Sequence, residues 1–273
     1  MRGRGAGAGR ALGAALAASL LAAPAPAAKP PAGRVSLEAA AGAFVWREED
    51  AHGRRILEER GPVLSLALVH DNLGRGAPGL IFHARAALWG GEVDYDGETQ
   101  DGTPLVTRTG YRGWEVAYGI GRRAAPGPRL RLDLMATAGY AGWRRRLGDG
   151  VDARGRSAVG YVERYRVPWV RLAAGVGVPG GPWLRLGLRR DLEVAETVGS
   201  PFDVRLAPRP RTVPFVGLEL APAGGRTALR LSWEGRRWDA SAPAASGVGP
   251  VFQPRVEGGV WVLALRRRLG PAP

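Results

Sequence analysis

Apolar residues recur at every second position along most of this chain, segment after segment. Leu184, Leu186 and Leu188 alternate with Arg185, Gly187 and Arg189, and Leu229, Leu231 and Trp233 alternate with Arg230, Ser232 and Glu234. The same rhythm runs through Leu64, Leu66, Leu68, through Leu80, Phe82, Ala84, Ala86, Leu88, and through Trp114, Val116, Tyr118, Ile120. A period of two is that of a β-strand, because successive side chains leave a strand on opposite faces. Helical spacing is absent, and 42 glycines are too many for stable helices. Turn-forming clusters of Gly, Pro, Asp and Asn divide the pattern into about ten strands, at 35–49, 61–71, 80–95, 107–121, 130–145, 159–176, 183–190, 212–220, 227–238 and 251–269. Several exceed the roughly 9 to 11 residues of a tilted membrane strand, against about five or six in soluble domains. The expected fold is an all-β, antiparallel up-and-down transmembrane β-barrel. Long polar connections at 50–60, 96–106, 146–158, 191–211 and 239–250 alternate with shorter turns, as external loops alternate with periplasmic turns.

The start of the chain supplies an address. Arg2, Arg4 and Arg10 precede an apolar run at 11–23 and an Ala25-Pro26-Ala27 cleavage site. These features predict a secretory signal peptide over 1–28 and a barrel domain over 29–273. The run is shorter than the roughly 18 residues of a helical span, and Pro24 and Pro26 end it. A closed barrel is then the only way for such a chain to cross a membrane. Trp46, Trp89, Tyr111, Trp114, Tyr140, Trp143, Tyr161, Tyr165 and Trp238 gather at the expected outer ends, where an interfacial aromatic girdle would sit. The net charge of +14 comes almost wholly from arginine, Lys29 being the only lysine, and it is dispersed. No nucleic-acid motif accompanies it, so no nucleic-acid partner is expected. The absence of cysteine excludes disulfides, thiolate catalysis and Cys-ligated zinc.

Charges occupy the face opposite the leucines: Glu38, His83, Arg85, Glu115, Arg131, Asp133, Glu163, Arg171, Arg185, Arg189, Glu219, Arg230 and Glu234. At the bilayer midplane each would cost about 2 to 4 kcal/mol against lipid, so this face is expected to line the lumen. About ten strands enclose little more space than side chains fill, and Arg and Glu pair bidentately. The lumen is therefore expected to be filled by charge, the protein acting structurally or by loops that bind an external ligand. A surface hydrolase or a small porin-like channel is the alternative. No cofactor is expected.

Carboxylates cluster at Glu92, Asp94, Asp96, Glu98 and Asp101, a set suited either to a hard cation or, as expected here, to a solvated hairpin with Asp-Gly turns and no metal. The stretch 91–104 resembles uncharacterised outer-membrane barrel proteins of proteobacteria, in which a G-x-V-x-Y-D-G strand end leads into a T-x-x-G-x-P hairpin. The resemblance implies a Gram-negative cell envelope, contact with outer-membrane lipid and lipopolysaccharide, and insertion by the barrel-assembly machinery. Such barrels commonly finish on an aromatic residue, whereas this sequence finishes Arg266-Arg267-Arg268-Leu269-Gly270-Pro271-Ala272-Pro273. Ten strands also resemble the omptin proteases, whose sites join an Asp pair to an Asp-His pair at the outer rim. The matching residues here are Asp94 and Asp96 with Asp50 and His52. General-base chemistry needs the histidine within hydrogen-bond reach, and these four are not expected to converge. His70 and His83 fall at the opposite end, and Ser36 and Ser65 sit in no nucleophile motif, so an enzyme is not expected.

Overall fold

The computed structural model describes residues 33–73, 78–99, 101–221 and 225–270; the expected signal peptide at 1–28 lies outside them. Ten long strands form the wall: β1 (Arg34–Glu49), β2 (Arg55–Asp71), β3 (Gly79–Glu98), β4 (Pro104–Ala124), β5 (Arg131–Leu147), β6 (Val162–Gly177), β7 (Pro182–Asp191), β8 (Thr212–Leu220), β9 (Thr227–Asp239) and β10 (Arg255–Arg268). Each pairs antiparallel with the next in sequence. The first and last strands then pair from Ser36↔Arg268 to Glu49↔Arg255. The sheet is thus a closed up-and-down barrel in which each long strand is paired with a neighbour on both sides around the ring.

Period two decides which side each residue faces. Leu64, Leu66 and Leu68 of β2, Leu80 and Leu88 of β3 and Leu184, Leu186 and Leu188 of β7 all point outward, with Leu64 65% and Leu88 67% exposed. On β5, Leu132 to Tyr140 does the same at alternate positions. The outward apolar band spans Leu80 to Leu88 on β3 and Leu132 to Tyr140 on β5, close to the roughly 9 to 11 residues a tilted membrane strand needs. Beyond it, at the end that carries the connections 50–54 and 99–103, the outward positions turn charged: Glu92, Asp94 and Asp96 on β3, Arg144 and Arg146 on β5. We call this the loop end, and the opposite one the turn end.

Two expectations are corrected. The first two external connections are tight tips at 50–54 and 99–103, not long loops, because β2, β3 and β4 rise further than turn residues implied. Asp50 Oδ1 accepts the amides of His52 and Arg54 at 2.9 and 3.0 Å, closing the turn over Gly53, whose φ of 78° an L side chain rarely adopts. Asp152 repeats that arrangement with Arg154 and Arg156, both at 2.9 Å, over Gly155. The aromatic girdle is also mostly interior. Trp46, Tyr111, Trp143, Tyr165 and Trp238 form a buried core inside the loop end, with Trp89 and Tyr161 packed on it. Of the nine, only Trp114 and Tyr140 are exposed on the outside, stacked on each other at 5.7 Å. Strand parity explains this, since Trp46 shares the face of Glu38 and Trp143 that of Asp133.

Candidate functional site in the lumen

Side chains from nearly every strand meet in the lumen, in three layers. At the loop end lies Arg145 of β5, 1% exposed. Its guanidinium reaches Glu48 of β1 at 3.0 Å, Glu59 of β2 at 2.9 Å and Glu163 of β6 at 2.8 Å. Each acceptor is held by another donor: Trp46 Nε1 donates to Glu48 at 2.9 Å, Thr109 to Glu59 at 2.7 Å, and Tyr165 to Glu163 at 2.7 Å. Tyr111 also donates to Glu59. A fourth carboxylate, Glu196, arrives from the short strand Ala195–Val198, which extends the wall beside β6. Burial, with the nearby Glu163 and Glu48 carboxylates, pushes Glu196 well above the usual carboxylate range. Trp143 stacks on Tyr165 at 4.8 Å and on Trp238 at 6.0 Å, so rings fill the space between these ions.

The middle layer surrounds a cavity of about 270 Å³. Glu234 pairs with both Arg171 and Arg189. Arg189 also meets Asp191 at 3.1 Å and Glu115 at 3.6 Å, and Arg85 meets Glu115 at 3.2 Å. Toward the turn end the signs reverse. Glu38 of β1 is approached by Arg230 at 2.7 Å, Arg266 at 3.1 Å and Arg85 at 3.5 Å. Arg266 continues to Asp71 at 3.1 Å, His83 lies 3.6 Å from Asp71, and Arg185 lies 3.5 Å from Glu219. Beside them Arg123 grips Asp133 through two bonds of 2.6 and 2.7 Å, donates to the Leu73 carbonyl at 2.7 Å and covers the Trp183 ring.

Of the charges assigned to the lumen, the structure draws Glu38, Arg85, Glu115, Asp133, Glu163, Arg171, Arg185, Arg189, Glu219, Arg230 and Glu234 into these networks. Arg131 instead opens β5 and donates to the carbonyls of Gly127 and Leu130 at 2.7 and 2.9 Å. The sequence reading missed Arg145, Glu48, Glu59 and Glu196. Parity alone would have placed Arg145, two residues beyond Trp143 on β5, and Glu48, two beyond Trp46 on β1; Glu59 follows an irregular run in which Leu57, Glu58 and Glu59 are all buried.

The rim residues are spread apart. Both Asp50 oxygens serve their own turn, the second accepting from Arg54 Nε at 3.1 Å, and these bonds hold the carboxyl below its usual range. His52 sits exposed at the tip. Asp94 and Asp96 face outward on β3, Asp96 lying 3.8 Å from Arg55. Among the described residues no side-chain hydrogen bond or ion pair joins any two of the four. The neighbouring carboxylates are likewise taken by arginines, Glu92 by Arg108 at 2.8 Å and Asp101 by Arg156 at 2.6 Å. Among the described residues no group of three or more acidic or histidine side chains converges as a metal site.

No protein-family model and no curated protein matches the chain. Solved structures similar to it are outer-membrane barrels. The outer membrane protease OmpT from Escherichia coli aligns with a TM-score of 0.49 at 14% identity, over 87% of this chain and 96% of that one. An outer membrane channel from Pseudomonas putida F1 aligns at 0.45 and 13%, over 91% and 100%. The transport unit of the autotransporter AIDA-I from Escherichia coli aligns at 0.41 and 9%, over 95% and 97%.

Proposed function

We propose that this chain is an exported outer-membrane barrel that works by binding and is closed to ions. The observation that carries the proposal is the Arg145 layer: one guanidinium tied to three carboxylates from three strands, with stacked rings in the gaps, directly below the loop end. An ion crossing there would have to part buried charge pairs, each break costing about 3 to 5 kcal/mol. The outward apolar band supports the membrane placement, because a contiguous exposed patch on a soluble monomer rarely exceeds a few hundred Å². Export by the leader at 1–28 and insertion by the barrel-assembly machinery complete that assignment.

Lipopolysaccharide is the lipid partner best matched to the outer surface. Arg112, Arg144 and Arg164 stand opposite one another on β4, β5 and β6, all exposed, just beyond the band that ends in Trp114, Tyr140 and Val170. Like charges opposite each other destabilise a sheet, and none of the three has a carboxylate partner among the described residues, so a phosphorylated headgroup suits the row.

Planar-bilayer recording of the refolded barrel tests the proposal. The expected result is no steady conductance in molar KCl. A stable ohmic conductance that scales with salt would overturn it and establish a pore.

A further inference from the structure

Arg236 differs from the other guanidiniums inside the barrel. It projects from β9 into the lumen and lines the central cavity. Its face lies over Trp143 at 4.4 Å and over Trp238 at 5.4 Å. Among the described residues no carboxylate or carbonyl accepts any of its N–H groups. The acids near it are committed elsewhere, Glu234 to Arg171 and Arg189, and Asp191 to Arg189 and to Trp238 Nε1 at 3.0 Å. By contrast, Arg145 and Arg123 each have two or more oxygen acceptors. Ring stacking satisfies the face of a guanidinium and leaves its edge, where the donors are, unmet. An enclosed cation with no acceptor is costly, so the edge calls for an acceptor from outside the chain.

The cavity beside that edge defines what the acceptor is attached to. Its volume of about 270 Å³ lies just below the roughly 300 Å³ at which drug-sized ligand sites begin, so only a small molecule fits. Phe44, Trp89, Trp169 and Phe215 give it an apolar wall, and Gly258, directly opposite Arg236 in the sheet, puts no side chain beside the guanidinium. Glu115, Glu219 and Glu234 line it beside seven arginines, and every one of those arginines except Arg236 is paired with a carboxylate, so one negative charge matches the one positive charge left over. We infer that the central cavity binds a small monocarboxylate with an aromatic or alicyclic body, its carboxylate on the edge of Arg236 and its ring among the tryptophans. A carboxylate matches the planar fork of arginine bidentately and brings the single negative charge that Arg236 leaves unbalanced, whereas a phosphate dianion would bring two. The inference rests on the binding role proposed above and names the ligand class.

The test is isothermal titration of the folded barrel in detergent, with benzoate, its neutral isostere benzamide, and acetate as probes. Benzoate is expected to bind saturably, with benzamide and acetate each at least tenfold weaker. Arg236→Gln should weaken benzoate by roughly ten- to a hundredfold, the range for losing hydrogen bonds to a charged group. Arg236→Lys, which keeps the charge without the fork, should recover part of the loss. Because Gln removes an unpaired cation, the ligand-free variant should keep its folded gel band to at least the wild-type temperature. No saturable benzoate binding by the wild type, equal binding of benzamide, or undiminished binding by Arg236→Gln would each overturn the inference; the first two need no variant to fold. Conductance decides the closed-barrel proposal separately, since a conducting barrel that still binds benzoate through Arg236 would fail one and support the other.

Discussion

Near the loop end of the lumen one guanidinium is ringed by carboxylates; toward the turn end one carboxylate is ringed by guanidiniums. Arg145 faces Glu48, Glu59 and Glu163 with Glu196 close behind, whereas Glu38 faces Arg85, Arg230 and Arg266. Composition alone would call both ionic cores. Their surroundings make them different objects. The Arg145 layer is dry, Arg145 being 1% exposed and Glu59 buried completely, and its ions are separated by aromatic rings. The arginines around Glu38 border the central cavity, the Arg230 side chain being 22% exposed. Low dielectric strengthens a paired charge and penalises an orphaned one, so the Arg145 layer, with rings packed between its ions, should hold the barrel closed, while the Glu38 layer, whose arginines border the cavity, tolerates loss better.

The largest expected effect follows directly. Arg145→Leu leaves three buried carboxylates facing one another and should cost about 3 to 5 kcal/mol. Glu38→Gln leaves Arg266 on Asp71 and Arg85 on Glu115, with only Arg230 losing its ion-pair partner beside the cavity, and should cost about 2 kcal/mol. The temperature at which the folded band is lost on a gel measures both, and equal losses would break the contrast.

A pH dependence sharpens it. Glu196 sits above the ordinary carboxylate range, so the folded barrel keeps a proton that the unfolded chain has released. Stability is then complete below the unfolded value near 4.3 and falls as pH rises toward the folded one. The wild type should lose its folded band at a lower temperature at pH 9 than at pH 5, and Glu196→Gln should flatten that slope. An unchanged slope would mean that Glu196 is ionised within the layer.

The smallest effects test the faces of a single strand. Arg185 meets Glu219 only at 3.5 Å and borders the cavity, so Arg185→Leu should cost about 1 to 2 kcal/mol. Next to it, Leu186→Ala changes a side chain that points outward and should cost less than about 1 kcal/mol, since lipid tails are as apolar as leucine. Thermal melts of the two variants in one detergent decide the order.

Much of the wall was legible because period two is local. Leu184 to Leu188 face outward for the same reason that Arg185 and Arg189 face inward, and no long-range contact is needed to say so. The aromatic rings were not legible in the same way, because height along a strand places a ring near the rim while parity decides whether it faces lipid or lumen. The loop tips are ambiguous for a different reason: Asp50-Ala51-His52-Gly53-Arg54 is also an adequate loop sequence, and the Asp50 bonds to two amides shut it to a hairpin.

By itself, then, the sequence determined an antiparallel wall with an apolar exterior and a charged interior, because side-chain alternation is a property of each strand alone. The tertiary structure decided which charges meet. Arg145 finds Glu48 across 97 residues and Arg266 finds Glu38 across 228, distances over which only closure of the ring fixes position. Closure likewise left Arg236 over two tryptophans, with the nearby Glu234 and Asp191 tied to other donors. Whether a guanidinium inside the barrel is paired or open depends on strand stagger around the whole circumference, which no segment of sequence encodes.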